Sequence, residues 1–469
     1  MSLPICLDGT VELDRAEVGG KAWSVNHLRR LGLPVPPAFT LPTALGPATI
    51  AAGALPETAL TAIDDGMRWL ESELGRGFGA ADRPLLVSVR SGAAQSMPGM
   101  MDTVLNIGMT EDTRKALAGE RGEAFAADVQ RRFAELYARV IGAAPPPDAR
   151  AQLIAAVEAV FRSWESPRAV AYRRHHGLAD DGGTAVTVQA MVFGNGAERS
   201  GTGVLFTRNP LDGSPAPFGE WLAGGQGEDV VSGRADPASL DELAQAMPAV
   251  HEQLLTAARA LEHDARDVQD IEFTVEDGTL WLLQTRAAKR SPEAAVRIAV
   301  ALHREGLLSR AEALTRFSDQ DVTTLTRPRV DATGATVLAT GEPASPGIAS
   351  GVVVTSPFEA EDRADEGVVL ATATTDPDDI RGMIAATAVI TELGGATSHA
   401  AVVSRELGRT CVVGCGTGTV TGLAGRLVTV DGGTGRIYTG ALPVVAPTAA
   451  DDPDLAEIAR WRSQISPAC

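Results

Sequence analysis

The residue types best placed to do chemistry sit in the stretch Gly394-Gly395-Ala396-Thr397-Ser398-His399-Ala400-Ala401-Val402-Val403-Ser404-Arg405. It follows an apolar run, Ala388-Val389-Ile390, that predicts a buried strand. Two glycines break that strand, and the residues from His399 predict a helix stopped by Gly408. Thr397 or Ser398 is the expected N-cap, which places His399 in the first helical turn. Free N–H groups and the helix dipole there favour a nearby anion and disfavour imidazolium. A neutral, nucleophilic ring beside a place for negative charge suits a group that accepts and releases phosphoryl. A histidine that merely caps a helix in a glycine-rich turn would show the same local pattern.

Two cations stand in settings that suit phosphate. Lys21 follows Gly19-Gly20 at the start of a helix whose apolar face is Ala22, Val25, Leu28 and Leu31. This is no Walker A loop, and read alone Lys21 is a solvated charge. A strand, Leu85–Val89, delivers Arg90 to a turn of small residues, which suits a guanidinium reaching phosphate oxygens. The run Ser96–Thr103, with Met-Pro-Gly-Met-Met inside it, is expected to be a lid or a simple surface loop.

Asp270 through Arg286 predicts a β-hairpin. Asp270 and Glu272 share one face of their strand, as do Gln284 and Arg286 of theirs. A three-residue loop, Glu276-Asp277-Gly278, sets Asp270 opposite Gln284 and lines all four groups on one face. Ile271, Phe273, Val275, Trp281 and Leu283 then bury the other. A two-residue loop would instead throw Gln284 to the far face. Two carboxylates, an amide oxygen and a guanidinium on one face match magnesium-bound triphosphate. They match the solvated face of an edge hairpin equally well.

These residues are spread over a chain of 469 residues, long enough for two or three domains. Residues 111–180 predict helices, and 186–192 and 201–210 predict strands. Glycine density at 224–233 permits close backbone approach to a ligand. A helical linker follows Arg286, and the tract 323–346 is the first plausible hinge. A compact domain of short strands then runs to about Tyr438, and a final helix is expected over Leu455–Ile465.

Net charge of -19 argues against a general nucleic-acid binder. No long apolar run predicts a membrane span, and the N-terminus lacks signal-peptide order, so a cytoplasmic protein is expected. Four cysteines (Cys6, Cys411, Cys415, Cys469) are too few for a disulfide framework and are expected to be reduced.

Six strings point one way together: Gly19–Lys21, Ser88–Thr103, Gly203–Pro210, Gly227–Gly233, Asp270–Arg286 and Gly394–Arg405. In this order they resemble the phosphoenolpyruvate-utilising enzymes, the family of pyruvate, phosphate dikinase and phosphoenolpyruvate synthase. The resemblance covers nearly the whole chain and implies an α/β (α+β) protein. An ATP-grasp-like nucleotide-binding domain with a helical linker would occupy residues 1–322, with a hinge at 323–340. A small swivelling β/β/α phosphohistidine domain would occupy 341–440, and a linker with a short helix 441–469. The resemblance further implies that Lys21, Arg90, Asp270, Glu272, Gln284 and Arg286 surround ATP. Glu272 and Gln284 would hold Mg²⁺, and His399 would be the catalytic phosphoryl carrier.

Family members continue into a barrel that binds pyruvate or phosphoenolpyruvate, and no string here matches it. The expectation is therefore a half-enzyme. ATP phosphorylates His399 and releases AMP, phosphate or water takes the other phosphoryl group, and a separately encoded barrel chain supplies pyruvate. An antibiotic phosphotransferase would need a drug-binding domain for which the interval is too short. A phosphocarrier or regulatory module is the other alternative.

Overall fold

The structure is a computed structural model. It describes residues 3–95, 97, 99–180, 182–196, 199–227, 229, 237–325, 329–445 and 452–465. The chain divides into two compact units. One comprises Met1–Gly201 with Glu272–Arg286, the other Thr202–Ile271 with Ala287–Cys469.

The first unit is built on an antiparallel sheet in the order Ile5–Cys6, Ala38–Leu41, Ala185–Ala190, Val87–Gly92, Thr103–Ile107. Period-two alternation gives this sheet two characters. Val87, Val89, Val186 and Val188 enter a core with Phe39, Ile63, Leu70, Phe133 and Phe161. Ser88, Arg90, Thr187 and Gln189 line the opposite face, where Ser88 pairs with Gln189 and Arg90 with Thr187. The helices expected over 111–180 are Glu111–Arg121, Glu123–Ile141, Ala149–Arg162 and Pro167–His175.

Helix Arg15–Arg30 is capped by Asp14, whose Oδ1 accepts from Ala16 N at 2.9 Å. At Gly19 the backbone leaves helical geometry (φ 75°, ψ 161°). A Cβ there would overlap the Gly92 carbonyl oxygen, so only glycine lets helix and strand meet. Gly20 N then donates to Ala93 O at 2.8 Å, and Lys21 opens a fresh helical turn. The proposed lid is only partly within view, since Ser96 and Pro98 lie outside the described residues. Met97 and Met100 are buried, and Arg168 Nε holds Met100 O at 3.1 Å.

The second unit contains an eight-stranded sheet. Its order is Val337–Thr340, Arg436–Thr439, Leu427–Asp431, Ile348–Val354, Val368–Thr372, Ala388–Thr391, Thr410–Val413, Glu342–Ser345. The four strands from Ile348–Val354 to Thr410–Val413 run parallel. Short helices Pro357–Asp362, Ile380–Ala385 and His399–Leu407 make the crossovers that parallel pairing requires. Val353, Val369, Ala371, Ile390, Val412 and Val428 form the core.

A second sheet in this unit sets Phe218–Ala223 between Ala238–Ser239 and Gly201–Phe206. The terminal helix, Pro453–Ile465, buries Ile458 and Trp461 in a core with Val296 and Val300. Of the expected hinge, residues 326–328 lie outside the described residues. Arg329–Val330 pairs with Val444–Val445. Cys411 and Cys415 are free and buried, while Cys469 lies outside the described residues. Among the described residues no helix is long and apolar enough to cross a membrane.

Candidate functional site

On the polar face of the first sheet, Arg90 Nη1 donates to Gln189 Oε1 at 3.0 Å. Its Nη2 donates to Gln284 Oε1 at 3.1 Å and to Glu272 Oε2 at 3.3 Å. Gln284 Nε2 donates to Glu272 Oε1 at 2.7 Å. Lys21 Nζ donates to Ser91 O at 2.7 Å. Burial lowers the Lys21 ammonium to about 7, helped by the charges of Arg90 and Arg286 and opposed by Glu272. Three cations and one carboxylate converge, so the site lacks negative charge and a polyphosphate would supply it. Lys21, Arg90, Glu272, Gln284 and Arg286 are thus brought together in the first unit. Asp270 is buried and lies two residues before Glu272 on the same strand, but it belongs to the second unit.

Anion binding should therefore be linked to a proton. Phosphates bound beside Lys21 would raise its pKa, so binding would take up a proton between pH 7 and the raised value. Affinity should fall as pH rises through that window. Calorimetry at pH 8 in buffers of different ionisation enthalpy should show uptake of close to one proton with ATP, and Lys21→Met should remove it.

The hairpin loop differs from expectation. Strands end at Glu276 and resume at Thr279, with positive φ at both Asp277 (51°) and Gly278 (81°). This is a two-residue type I′ turn rather than a three-residue loop, as an Asp-Gly pair favours. Leu280 and Leu282 are accordingly buried, not Trp281 and Leu283. Gln284 nevertheless reaches Glu272. The N–H groups of Leu282 and Thr285 both leave the hairpin, to Pro34 O at 2.8 Å and Ser24 Oγ at 2.7 Å. Outward N–H groups recur every second residue in an unbroken strand, so a spacing of three marks an extra residue, a β-bulge. The bulge returns Gln284 to the face of Glu272.

In the second unit, His399 is the first residue of helix His399–Leu407, and Ser398 is its N-cap without a side-chain bond. Thr397, the other cap expected, donates its hydroxyl to Glu220 instead. His399 Nδ1 lies 3.1 Å from Thr375 Oγ1. The contact follows from the sheet: strands Val368–Thr372 and Ala388–Thr391 are parallel neighbours, and both residues leave from carboxyl ends. Burial lowers His399 to about 4, with Asp376 pulling the other way. Desolvation outweighs the Asp376 charge and keeps the ring neutral. Among the described residues, His399 Nε2 and Ser398 Oγ are buried without a hydrogen-bond partner.

Residues 47–250 match the family described as pyruvate phosphate dikinase, AMP/ATP-binding domain. Residues 364–435 match the PEP-utilising enzyme mobile domain. The pyruvate, phosphate dikinase of Rhizobium meliloti is 38% identical over 97% of this chain and 59% of its own length. Pyruvate, phosphate dikinase 2 of Zea mays is 39% identical over 93% and 57%. The enzyme of Clostridium symbiosum is 38% identical over 90% and 56%. The chain carries the AMP/ATP-binding and mobile domains of the pyruvate, phosphate dikinase family. It spans somewhat more than half the length of these relatives.

The dikinase-type parts are a mixed α/β, ATP-grasp-type domain and a mobile domain, as the resemblance implied. Arg90 falls within the first match and His399 within the second. Sequence reasoning missed Gln189, Thr375 and Glu220. Asp376 and Asp379 form a capping box, a pattern legible in the sequence, which places Thr375 just before a helical turn. That Thr375 meets His399 depends on strand order, which no local pattern reveals.

Proposed function

We propose that this chain transfers a phosphoryl group from ATP to His399 and passes it on to pyruvate bound by a separate barrel chain. The supporting observation is the histidine itself, neutral above about pH 4, with Nδ1 on Thr375 and Nε2 unpartnered. The reactive tautomer carries its proton on Nδ1, which donates to Thr375 Oγ1 and leaves the Nε2 lone pair free. Nε2 bonds to the β-phosphorus, the bond from that phosphorus to the α-bridging oxygen breaks, and AMP departs. The γ-phosphoryl group goes to phosphate, giving pyrophosphate, or to water. Thr375 supports the growing ring charge through Nδ1–H, and the Ser398 hydroxyl is a donor for the arriving phosphoryl oxygens.

Lys21, Arg90 and Arg286 would hold the phosphates, with Asp270 completing the nucleotide site. The donor set fits Mg²⁺: Glu272 and Gln284 would offer a carboxylate and an amide oxygen to the ion, beside the phosphates it would help to hold. Bound there, the ion would neutralise charge on the β- and γ-oxygens. The domain limits 1–322, 323–340, 341–440 and 441–469 belong to this proposal, with 341–440 swinging on the hinge. So does a cytoplasmic location.

Incubation with Mg²⁺ and ATP labelled at the β-phosphate should give an acid-labile, base-stable adduct. Protein given pyruvate alone as acceptor should stop at that adduct, and a separate barrel chain should restore phosphoenolpyruvate formation. Sustained phosphoenolpyruvate synthesis without the barrel would refute the partner. Thr375→Val should slow labelling about 10-fold, the worth of one hydrogen bond holding the tautomer. Rapid-quench rates would measure it, and a wild-type rate would remove Thr375 from the mechanism.

A further inference from the structure

The glycine-rich loop ahead of His399 is gripped by groups that the phosphoryl chemistry does not use. Glu220, on strand Phe218–Ala223, accepts from the Thr397 hydroxyl and from the backbone N–H groups of Ala396 and Thr397. Glu342, at the start of strand Glu342–Ser345, accepts from the same Ala396 N–H. From the other side Arg405 Nη1 donates to Ala396 O at 2.9 Å and to Ala344 O at 2.8 Å. A Cβ on Gly395 would run into the Glu220 carboxyl, so this glycine is what admits it. Ala396 is held at both its N–H and its carbonyl.

We propose that Glu220 and Glu342 form a proton-dependent clasp on Gly395–Thr397 that positions His399 when closed and frees the loop when both carboxylates are charged. The groups facing the pair are each other, Arg405 on the histidine helix, the Thr397 hydroxyl and the two backbone N–H groups. Burial raises Glu220, and the bonds from Thr397 and Ala396 and the charge of Arg405 only partly offset it. Burial and the Glu220 charge push Glu342 up to about 7, against the Ala396 bond and Arg405. The pKa of Glu342 in the closed clasp lies above its free value of 4.5. Closure is therefore fully favoured below 4.5 and is lost as pH rises through 7. The consequence for phosphoryl transfer rests on the role proposed for His399, whereas the clasp does not.

Amide hydrogen exchange tests the clasp without nucleotide, so its outcome is independent of whether His399 is phosphorylated. After correction for intrinsic base catalysis, the Ala396 and Thr397 amides should exchange about 10-fold faster at pH 8.5 than at pH 6. Glu342→Gln removes the repulsion and should keep the pH 6 protection at pH 8.5. Glu220→Ala removes the main acceptor and should leave both amides exchanging fast at either pH. Substitutions that only perturbed packing would move both variants the same way. Protection in the wild type that is unchanged between the two pH values would overturn the clasp, as would loss of protection in Glu342→Gln at pH 8.5.

Discussion

His399→Ala should abolish labelling from β-labelled ATP, a loss of more than about 10³-fold, because it removes the nucleophile proposed to carry the phosphoryl. The substitution leaves a small cavity and the Thr375 hydroxyl without its imidazole, at a cost of about 1–3 kcal/mol. The fold should survive, and His399→Asn, closer in volume and polar, guards against misreading a folding defect. Residual labelling at the wild-type level in either variant would place the phosphoryl elsewhere. The pH profile is equally diagnostic. An ordinary histidine loses its nucleophile as pH falls through about 6.5. His399, lowered to about 4 by burial, stays neutral through pH 5. The inflection that remains should come from Lys21 near 7, and Lys21→Met should remove it.

Glu272→Ala should cut labelling by about 10²–10³-fold, the usual scale for losing one group that stabilises charge in a phosphoryl-transfer site. Both Glu272 oxygens are engaged, by Gln284 Nε2 and by Arg90 Nη2. Without them Arg90 keeps Gln189 and Gln284, so the scaffold holds. Lys21 loses the one charge that raises its pKa and moves further toward the neutral amine. The defect should therefore be in binding metal and phosphate. A labelling rate that partly recovers at high Mg²⁺, with thermal unfolding little changed, is the expected pattern. Wild-type labelling at ordinary Mg²⁺ would exclude Glu272 as a ligand.

The chemistry was more legible than the geometry that supports it. His399 could be placed in a first helical turn because a strand, two glycines and a C-terminal glycine bracket it in sequence. Arg90 was expected in a turn just past a strand and lies instead within it, Val87–Gly92, and its partner Gln189, 99 positions away, enters by strand pairing. The hairpin shows how a right outcome can rest on a wrong device. Gln284 does share a face with Glu272, through a two-residue turn and a bulge. Asp277-Gly278 announces that turn, but the bulge is fixed by Pro34 and Ser24, which are remote in sequence. Thr375 and Glu220 were invisible for the same reason, since tertiary contacts carry no periodic signature.

The cation cluster is assembled from three stretches of one polypeptide: Lys21, Arg90 and the segment Glu272–Arg286. Between the second and third lies a whole intervening block, Thr202–Ile271, that belongs to the other compact unit. During synthesis the N-terminal part emerges first, and domains fold as they are completed. Lys21 and Arg90 then meet without the carboxylate that offsets them until the ribosome has released Arg286. A chain truncated at Gly201 would carry most of the first unit's residues but neither Glu272, Gln284 nor Arg286. The cation cluster is therefore a late product of translation, complete only once the chain through Arg286 has been made.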